Sequence, residues 1–244
     1  MNELDETRKV ILPITLNCKA LREMRQNENN MKVLLALLDE TITEKKLKSI
    51  SNEKEIDRTL YDLGFTFDQF TNECRTSRAF AVVSARLISM DASRQGAKDE
   101  DIILQTCNNI SKLMGINIVN LPNTDARPTK DGKILSKEEY KKSGCKKNDC
   151  LKSFDGRISG KISGWIFAKI TITNGGHQDN VFEEAHVMGD WIVKYGKPEE
   201  LYVLLIDTDL ELQFNELKEK FHKNNVLVVN HVEFQQYLIN LYNV

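Results

Sequence analysis

The sequence predicts an α/β protein with a mixed β-sheet flanked by helices, preceded by a helical N-terminal region. Two observations carry this reading. Up to about residue 115 apolar residues recur at the three-and-four spacing of amphipathic helices, and beyond it apolar runs of strand length alternate with helical segments. The order in the second half, a strand pair, helix, strand, helix, strand and helix, is that of α/β folds. Composition agrees: 244 residues that are 41% hydrophobic and 29% charged, with 12 Gly and 4 Pro, supply a real core and exclude disordered, collagen-like and disulfide-scaffold chains. At roughly 100–200 residues per domain, this is one elaborated domain or two small ones.

Along the chain, Val33, Leu34, Leu37 and Leu38 mark a first helix. A second, over 74–90, carries Phe80, Val83, Leu87 and Ile88 on one side, and the stretch between them, around GFTF, reads as short, loosely defined elements. DASRQGAKDEDIILQTCNNISKLMGINIV is a loop, a helix and a strand. Ile102, Ile103, Cys107, Ile110 and Met114 give that helix its apolar face, and Gly115 stops it. A short strand follows at 116–121, then a polar loop over 127–149 with a small helix at SKEEYKK. KSFDGRISG and SGWIFAKITIT are two strands joined by a Gly-Ser turn. After them come a helix over 178–194, strand LYVLLID, helix LELQFNELKEKF, strand VLVV and helix VEFQQYLINLY. The expected division is a helical region at 1–92 and a core at 93–244, packed as one globular unit.

Net charge is −2, which gives no global field for polyanions, but the distribution is uneven. Residues 127–161 hold eleven Lys/Arg against five Asp/Glu, and residues 178–220 hold four against eleven. A basic stretch beside an acidic one brings a phosphate backbone toward cation-holding carboxylates, and a solvated lysine-rich loop has the same composition. No apolar run approaches a membrane span, and MNELDETRKV is too polar for a secretory signal, so a cytoplasmic protein is expected. Five cysteines without framework spacing read as reduced thiols, the C-x4-C at Cys145 and Cys150 included.

The chemistry-bearing residues cluster after 150. If the strands holding Asp155 and Lys169 pair through the turn at 161–164, a residue at the start of the first faces one near the end of the second. Asp155 and Lys169 then sit side by side. A lysine inside WIFAKITIT interrupts an apolar strand, so it is either paired and put to use or an edge-strand residue reaching solvent. Next, Asn174, Gly175 and Gly176 make a sharp exit, and His177, Gln178, Asp179 and Asn180 open a helix on which Asn180 and Glu184 share a face. Glu183 and Glu184 in its first turns also suit the helix dipole. The DTD at 207–209 follows an apolar strand, as metal-binding aspartates do, and is preferred as an N-cap pair for the next helix. His186, His222 and His231 share no spacing and receive no role.

FDG at 154–156, AK at 168–169, GGHQDNVFEEA at 175–185 and SRQGAKDE at 93–100 together resemble the type II restriction endonucleases of the PD-(D/E)XK nuclease superfamily. The resemblance covers roughly the last 150 residues and implies a restriction-endonuclease-like core. One position departs: where the family carries an acidic residue two before the lysine, this chain has Phe167. A variant of the family supplies that carboxylate from the following helix. By this analogy Asp155, Glu184 and Lys169 form the metal and water site, with Glu183 as rival for Glu184 and Glu100 holding an outer water or a second ion, or else facing solvent.

What the resemblance implies is Mg2+-dependent, sequence-specific hydrolysis of phosphodiester bonds in double-stranded DNA, by a homodimer if the target is palindromic. Two carboxylates hold the metal, and the lysine hydrogen-bonds the attacking water. His177 caps the turn or contacts DNA. Arg94, Gln95, Arg127, Lys146, Lys147, His177, Gln178 and Asn180 are the expected DNA-binding residues. Two other readings stand beside it: a nuclease-like fold that binds DNA without cutting, which Phe167 suggests, and a repair or recombination nuclease that reads DNA shape.

Overall fold

The computed structural model of the protein describes residues 11–122, 124–172, 178–222 and 224–242; the side chains of residues 93, 94, 147, 178 and 179 lie outside that description. The chain forms two compact units, Asn17–Gly96 and a second made of residues 11–16 and 97–242. The first unit therefore ends four residues later than the expected boundary, and the segment before it belongs to the second unit.

The first unit is all helical: α1 Cys18–Leu38, α2 Glu44–Ile50, α3 Glu53–Leu63, α4 Phe67–Thr76 and α5 Arg78–Ile88. The stretch expected to be loose is three short helices, each with terminal signals. Thr43 caps α2, α3 stops at Gly64 in the left-handed region (φ 64°), and Thr66 with Gln69 makes a capping box for α4. The single helix expected over 74–90 is broken at Ser77, whose extended backbone (φ −123°) ends α4 and whose hydroxyl accepts the Phe80 N–H at 3.3 Å. Its buried side also differs. Val83 and Leu87 are 65% and 54% exposed, and α5, which packs on α1, α3 and α4, buries Ala81, Ser84, Ala85 and Ile88 instead. Small side chains allow the close approach that Val and Leu would prevent.

The second unit runs α6 Gly96–Ser111, β1 Ile116–Asn120, β2 Arg127–Pro128, β3 Ile134–Leu135, α7 Lys137–Ser143, β4 Gly156–Gly160, β5 Gly164–Thr171, α8 Gln178–Tyr195, β6 Leu201–Thr208, α9 Glu211–Phe221, β7 Val226–Val229 and α10 His231–Tyr242. Its sheet has the order β1-β4-β5-β6-β7, antiparallel across the first three strands and parallel across the last three. A mixed sheet in an α/β unit is what the sequence predicts. The β4–β5 turn needs Gly160, at φ 106°, where a Cβ would strike the Gly115 carbonyl oxygen.

Alternation along the strands divides the core. Phe167, Leu204, Ile206 and Val228 face α8 and α9, meeting Met188, Trp191, Phe214 and Leu217. Ile166, Ala168, Val203 and Leu205 point the other way, toward α10 on β6 and β7 and toward α6, whose Leu104 lies over Gly156. The polar loop over 127–149 is a small structured excursion: the β2–β3 hairpin, then α7 with Ser136 and Glu139 as a capping box. It is closed at its neck. Leu151 N–H donates to Pro128 O at 2.8 Å, Lys130 N–H to Asp149 O at 2.9 Å, Trp191 Nε1 to Thr129 O at 2.7 Å, and Tyr195 OH to Lys130 O at 3.0 Å.

DTD at 207–209 is not a capping pair. Asp207 is the buried seventh residue of β6, and the N-cap of α9 is Leu210, which makes no side-chain cap bond. Asp207 Oδ1 instead lies 2.5 Å from Nδ1 of His231, the first residue of α10, while His231 Nε2 accepts the Leu16 N–H at 3.0 Å. An amide can donate only to a lone pair, so Nε2 is unprotonated, Nδ1 carries the hydrogen toward the carboxylate, and the ring is neutral. His231, given no role from spacing, thereby ties β6, α10 and segment 11–16 together. Gln235 adds to the strap, accepting from Ile14 N–H at 2.7 Å and donating to Ile14 O at 2.9 Å.

Candidate active site

Asp155 continues two ladders at once. Its N–H donates to Ile166 O and its carbonyl accepts the Leu121 N–H, both at 2.8 Å, which fixes it between the ends of β1 and β5. Gly156 is registered opposite Ile166 and Asp155 N–H reaches the same residue, so two residues stand against one, and with Phe154 packed in the α8-side cluster the Asp155 side chain points to the other face of the sheet. Lys169 Nζ stands 3.3 Å from Asp155 Oδ2, as hairpin arithmetic predicts. The edge-strand alternative fails, because β5 is the central strand of five and the Lys169 side chain is 15% exposed.

The third member is Glu100, from the second turn of α6, with Oε1 2.9 Å from Lys169 Nζ. A third bond runs from Nζ to Ala168 O at 2.7 Å, so all three ammonium hydrogens are engaged within the protein. Asp155 Oδ2 also accepts the Ala168 N–H at 2.9 Å. Two carboxylates thus share one ammonium in a largely dehydrated place, leaving one excess negative charge. Burial pushes the Asp155 carboxyl up to about 6; Lys169 opposes that shift and Glu100 adds to it. Burial acts to lower the Lys169 ammonium, and Asp155 and Glu100 outweigh it, so the lysine titrates above its ordinary value and stays cationic. The site lacks positive charge, and its free donors are hard carboxylate oxygens. Those residues fit a hard divalent cation.

Phe167 is fully buried in the core under α8, with its ring 4.7 Å from Lys169 Nζ. It fills the strand position where the resemblance would place a carboxylate. Glu184, expected to replace that carboxylate, is engaged elsewhere: Oε1 pairs with Lys152 Nζ at 3.3 Å. Glu183 is exposed, and both glutamates line a cavity with Arg127 and Lys152. Among the predicted residues, the structure brings together Glu100, Asp155 and Lys169.

Four of the expected DNA-binding residues have described side chains. Arg127 sits in β2 with its guanidinium 4.8 Å above the Tyr140 ring, Lys146 is exposed, and Asn180 is exposed in the first turn of α8. Gln95 is half-buried and donates to Met90 Sδ at 3.8 Å. His177 and the side chains at 94, 147 and 178 lie outside the described residues. Cys145 and Cys150 are free thiols. Among the described residues no helix is long and apolar enough to cross a membrane. The chain matches no protein-family model and no curated protein sequence.

Proposed function

We propose that the protein is a Mg2+-dependent endonuclease that hydrolyses phosphodiester bonds of double-stranded DNA at a short sequence, as type II restriction enzymes do, in the cytoplasm and as a homodimer on a palindromic target. The observation that carries this reading is the buried Glu100–Asp155–Lys169 cluster at the end of a central β-hairpin, with one negative charge in excess. Glu100 and Asp155 hold the cation in this reading, in place of the Glu184 that the resemblance implies. Mg2+ bound there supplies Lewis-acid stabilisation of the charge that develops on the scissile phosphate.

The residues of the chain do the rest. Lys169, held cationic, cannot take a proton from water. It acts as a donor, orienting the attacking water and stabilising the hydroxide that forms. Its three hydrogens are occupied in the free protein, so it becomes available only when Glu100 and Asp155 turn to another positive charge. The lysines of 127–161 face phosphates, a contribution independent of sequence.

Incubating supercoiled plasmid with the protein and Mg2+ tests the reading. Discrete bands that vanish in EDTA and in Glu100→Gln support it. A smear indicates cutting without sequence choice, and cutting confined to branched DNA a repair nuclease. Intact plasmid that is nonetheless bound indicates the non-cutting module, the reading that Phe167 in place of a carboxylate favours.

A further inference from the structure

Along α1 a stripe of side chains recurs at alternating spacings of three and four: Leu21, Met24, Glu28, Met31, Leu35 and Leu38. All but Glu28 are apolar. The opposite side of the helix is the one that packs within its unit, through Val33, Leu34 and Leu37 and through Gln26, Asn29 and Asn30, which bond to Ser89 and Met90. The stripe is left to solvent at its centre. Met24 is 59% exposed, Met31 53% and Leu35 62%, with Leu21 and Leu38 half-buried at its ends. An apolar residue exposed singly, as Leu212 is on α9, is ordinary on a protein surface. A three-and-four repeat held for the length of a helix is the seam by which one helix packs against another.

We infer that α1 pairs with α1 of a second copy of this chain, antiparallel about a two-fold axis. Its place in function rests on the endonuclease reading, where it joins the two subunits; the pairing itself is argued from α1. Charge fixes the direction. Glu28 is the single polar residue of the seam, and in a parallel pair in register it would stand against the partner's Glu28. Run antiparallel, with the two-fold midway between positions 29 and 30, the seam matches itself throughout: Leu21 meets the partner's Leu38, Met24 the partner's Leu35, and Glu28 the partner's Met31. The residue after that methionine, the partner's Lys32, stands level with Glu28 to within about 1.5 Å along the helix. Glu28 and Lys32 are both exposed, so two ion pairs related by the two-fold flank the centre of the seam. With 21 residues α1 is about 31 Å long and, at a diameter near 10 Å, offers a strip of roughly 300 Å2. That falls short of the ~800 Å2 per partner of a standard interface, so α1 supports a concentration-dependent dimer and not an obligate one.

Sedimentation equilibrium of the full-length protein without DNA, over a range of concentrations, tests the pairing. The wild type should pass from monomer to dimer as concentration rises. Met31→Glu sets a second carboxylate against the partner's Glu28, twice over the two-fold, and should raise the dimer's Kd by about tenfold or more. Met31→Lys sets an opposite charge there and should hold the Kd at or below the wild-type value, whereas in a parallel pair the two lysines would meet and the dimer would be lost. Leu212→Glu on exposed α9 is the control and should leave the Kd within about threefold. Because both positions are exposed, thermal unfolding should show all three variants folded as the wild type is. A wild type that stays monomeric at every concentration, a Kd unmoved by Met31→Glu, or a loss with Met31→Lys equal to that with Met31→Glu overturns the inference. The plasmid assay keeps the two readings apart. Discrete cutting by a protein that is monomeric in solution removes the pairing alone, and a dimer that leaves plasmid intact and unbound removes the endonuclease reading alone.

Discussion

Asp155→Asn separates the cost of the site from its use. Asp155 is held at about 6 against an ordinary 3.8, a difference of roughly two units and therefore about 3 kcal/mol against its charged form. The sign follows from proton uptake. Between pH 4 and 6 the folded state binds more protons at this group than the unfolded chain does, so wild-type stability falls as pH rises through that window and levels off above it. Asparagine does not titrate. Both of the carboxylate's bonds, from Ala168 N–H and Lys169 Nζ, go to the single oxygen Oδ2, so an amide carbonyl can keep both, and Lys169 is left in a one-to-one pair with Glu100. In EDTA the variant should match the wild type near pH 4 and exceed it at pH 8 by up to about 3 kcal/mol, or roughly 6–12 °C in Tm for a chain of this size. Mg2+ near saturation should reverse the order, since a cation at 1,000 times its Kd adds about 4.1 kcal/mol to a protein that binds it and nothing to one that does not. Thermal unfolding followed by circular dichroism at pH 4, 6 and 8, with and without Mg2+, reads all of this. A variant-to-wild-type gap that ignores pH, or a variant that Mg2+ stabilises as much as the wild type, would refute the reasoning.

Glu100→Gln and Lys169→Met should lose cleavage by at least a hundredfold while keeping target affinity within threefold, and Glu184→Gln should retain Mg2+-dependent cutting. Cutting by Glu100→Gln at the wild-type rate together with loss in Glu184→Gln would return the metal to α8. Replacing Lys141 with Lys142, or Lys146 with Lys147, by alanine pairs should flatten the log-log salt dependence of DNA binding by about 0.9 for each phosphate no longer neutralised, and an unchanged slope would move the DNA face off this excursion. His231→Ala removes the hydrogen bond that Asp207 Oδ1 receives inside the core and should cost about 1–3 kcal/mol in urea unfolding at pH 7, and an unchanged stability would count against His231 as a tie between β6, α10 and segment 11–16.

How much of this is legible in the sequence depends on how far apart the partners lie. Asp155 and Lys169 emerge from residue counting, because the position of a hairpin turn fixes who faces whom. Glu100 is 69 residues from the lysine it meets, and no periodicity links a helix to a strand across that distance. Its place in SRQGAKDE marks it as a candidate without naming its partner. Asp207 and His231 are missed for a related reason: each sits at the end of an apolar element, where polar residues ordinarily act as caps, and only the sheet order brings them together. The short helices α2, α3 and α4 escape an apolar-periodicity reading because α2 buries Leu47 alone and α3 only Ile56 and Thr59. Their caps at Thr43, Gly64 and Thr66 are visible in the sequence and are the better signal. The α/β order and mixed sheet are legible because long apolar strands such as YVLLI leave little else to be.

The neck of the basic excursion has a consequence for how such a protein can change. The chain leaves the core at Pro128 and Lys130 and returns at Asp149 and Leu151, with the two passages hydrogen-bonded to each other and clamped by Trp191 and Tyr195. The hairpin is tied to the core again by Ile134 and by Lys137 N–H, which donates to Asp125 Oδ1 at 2.9 Å, so the stretch from α7 to the neck at Asp149 is the part whose length and sequence can be rewritten with little mechanical echo in the sheet. Doubling such a loop adds only about 0.6 kcal/mol of closure entropy. That stretch, with no buried residue in α7, behaves as an exchangeable cassette, a part on which lineages, or a protein engineer, can try new surfaces while the scaffold that bears them stays as it is.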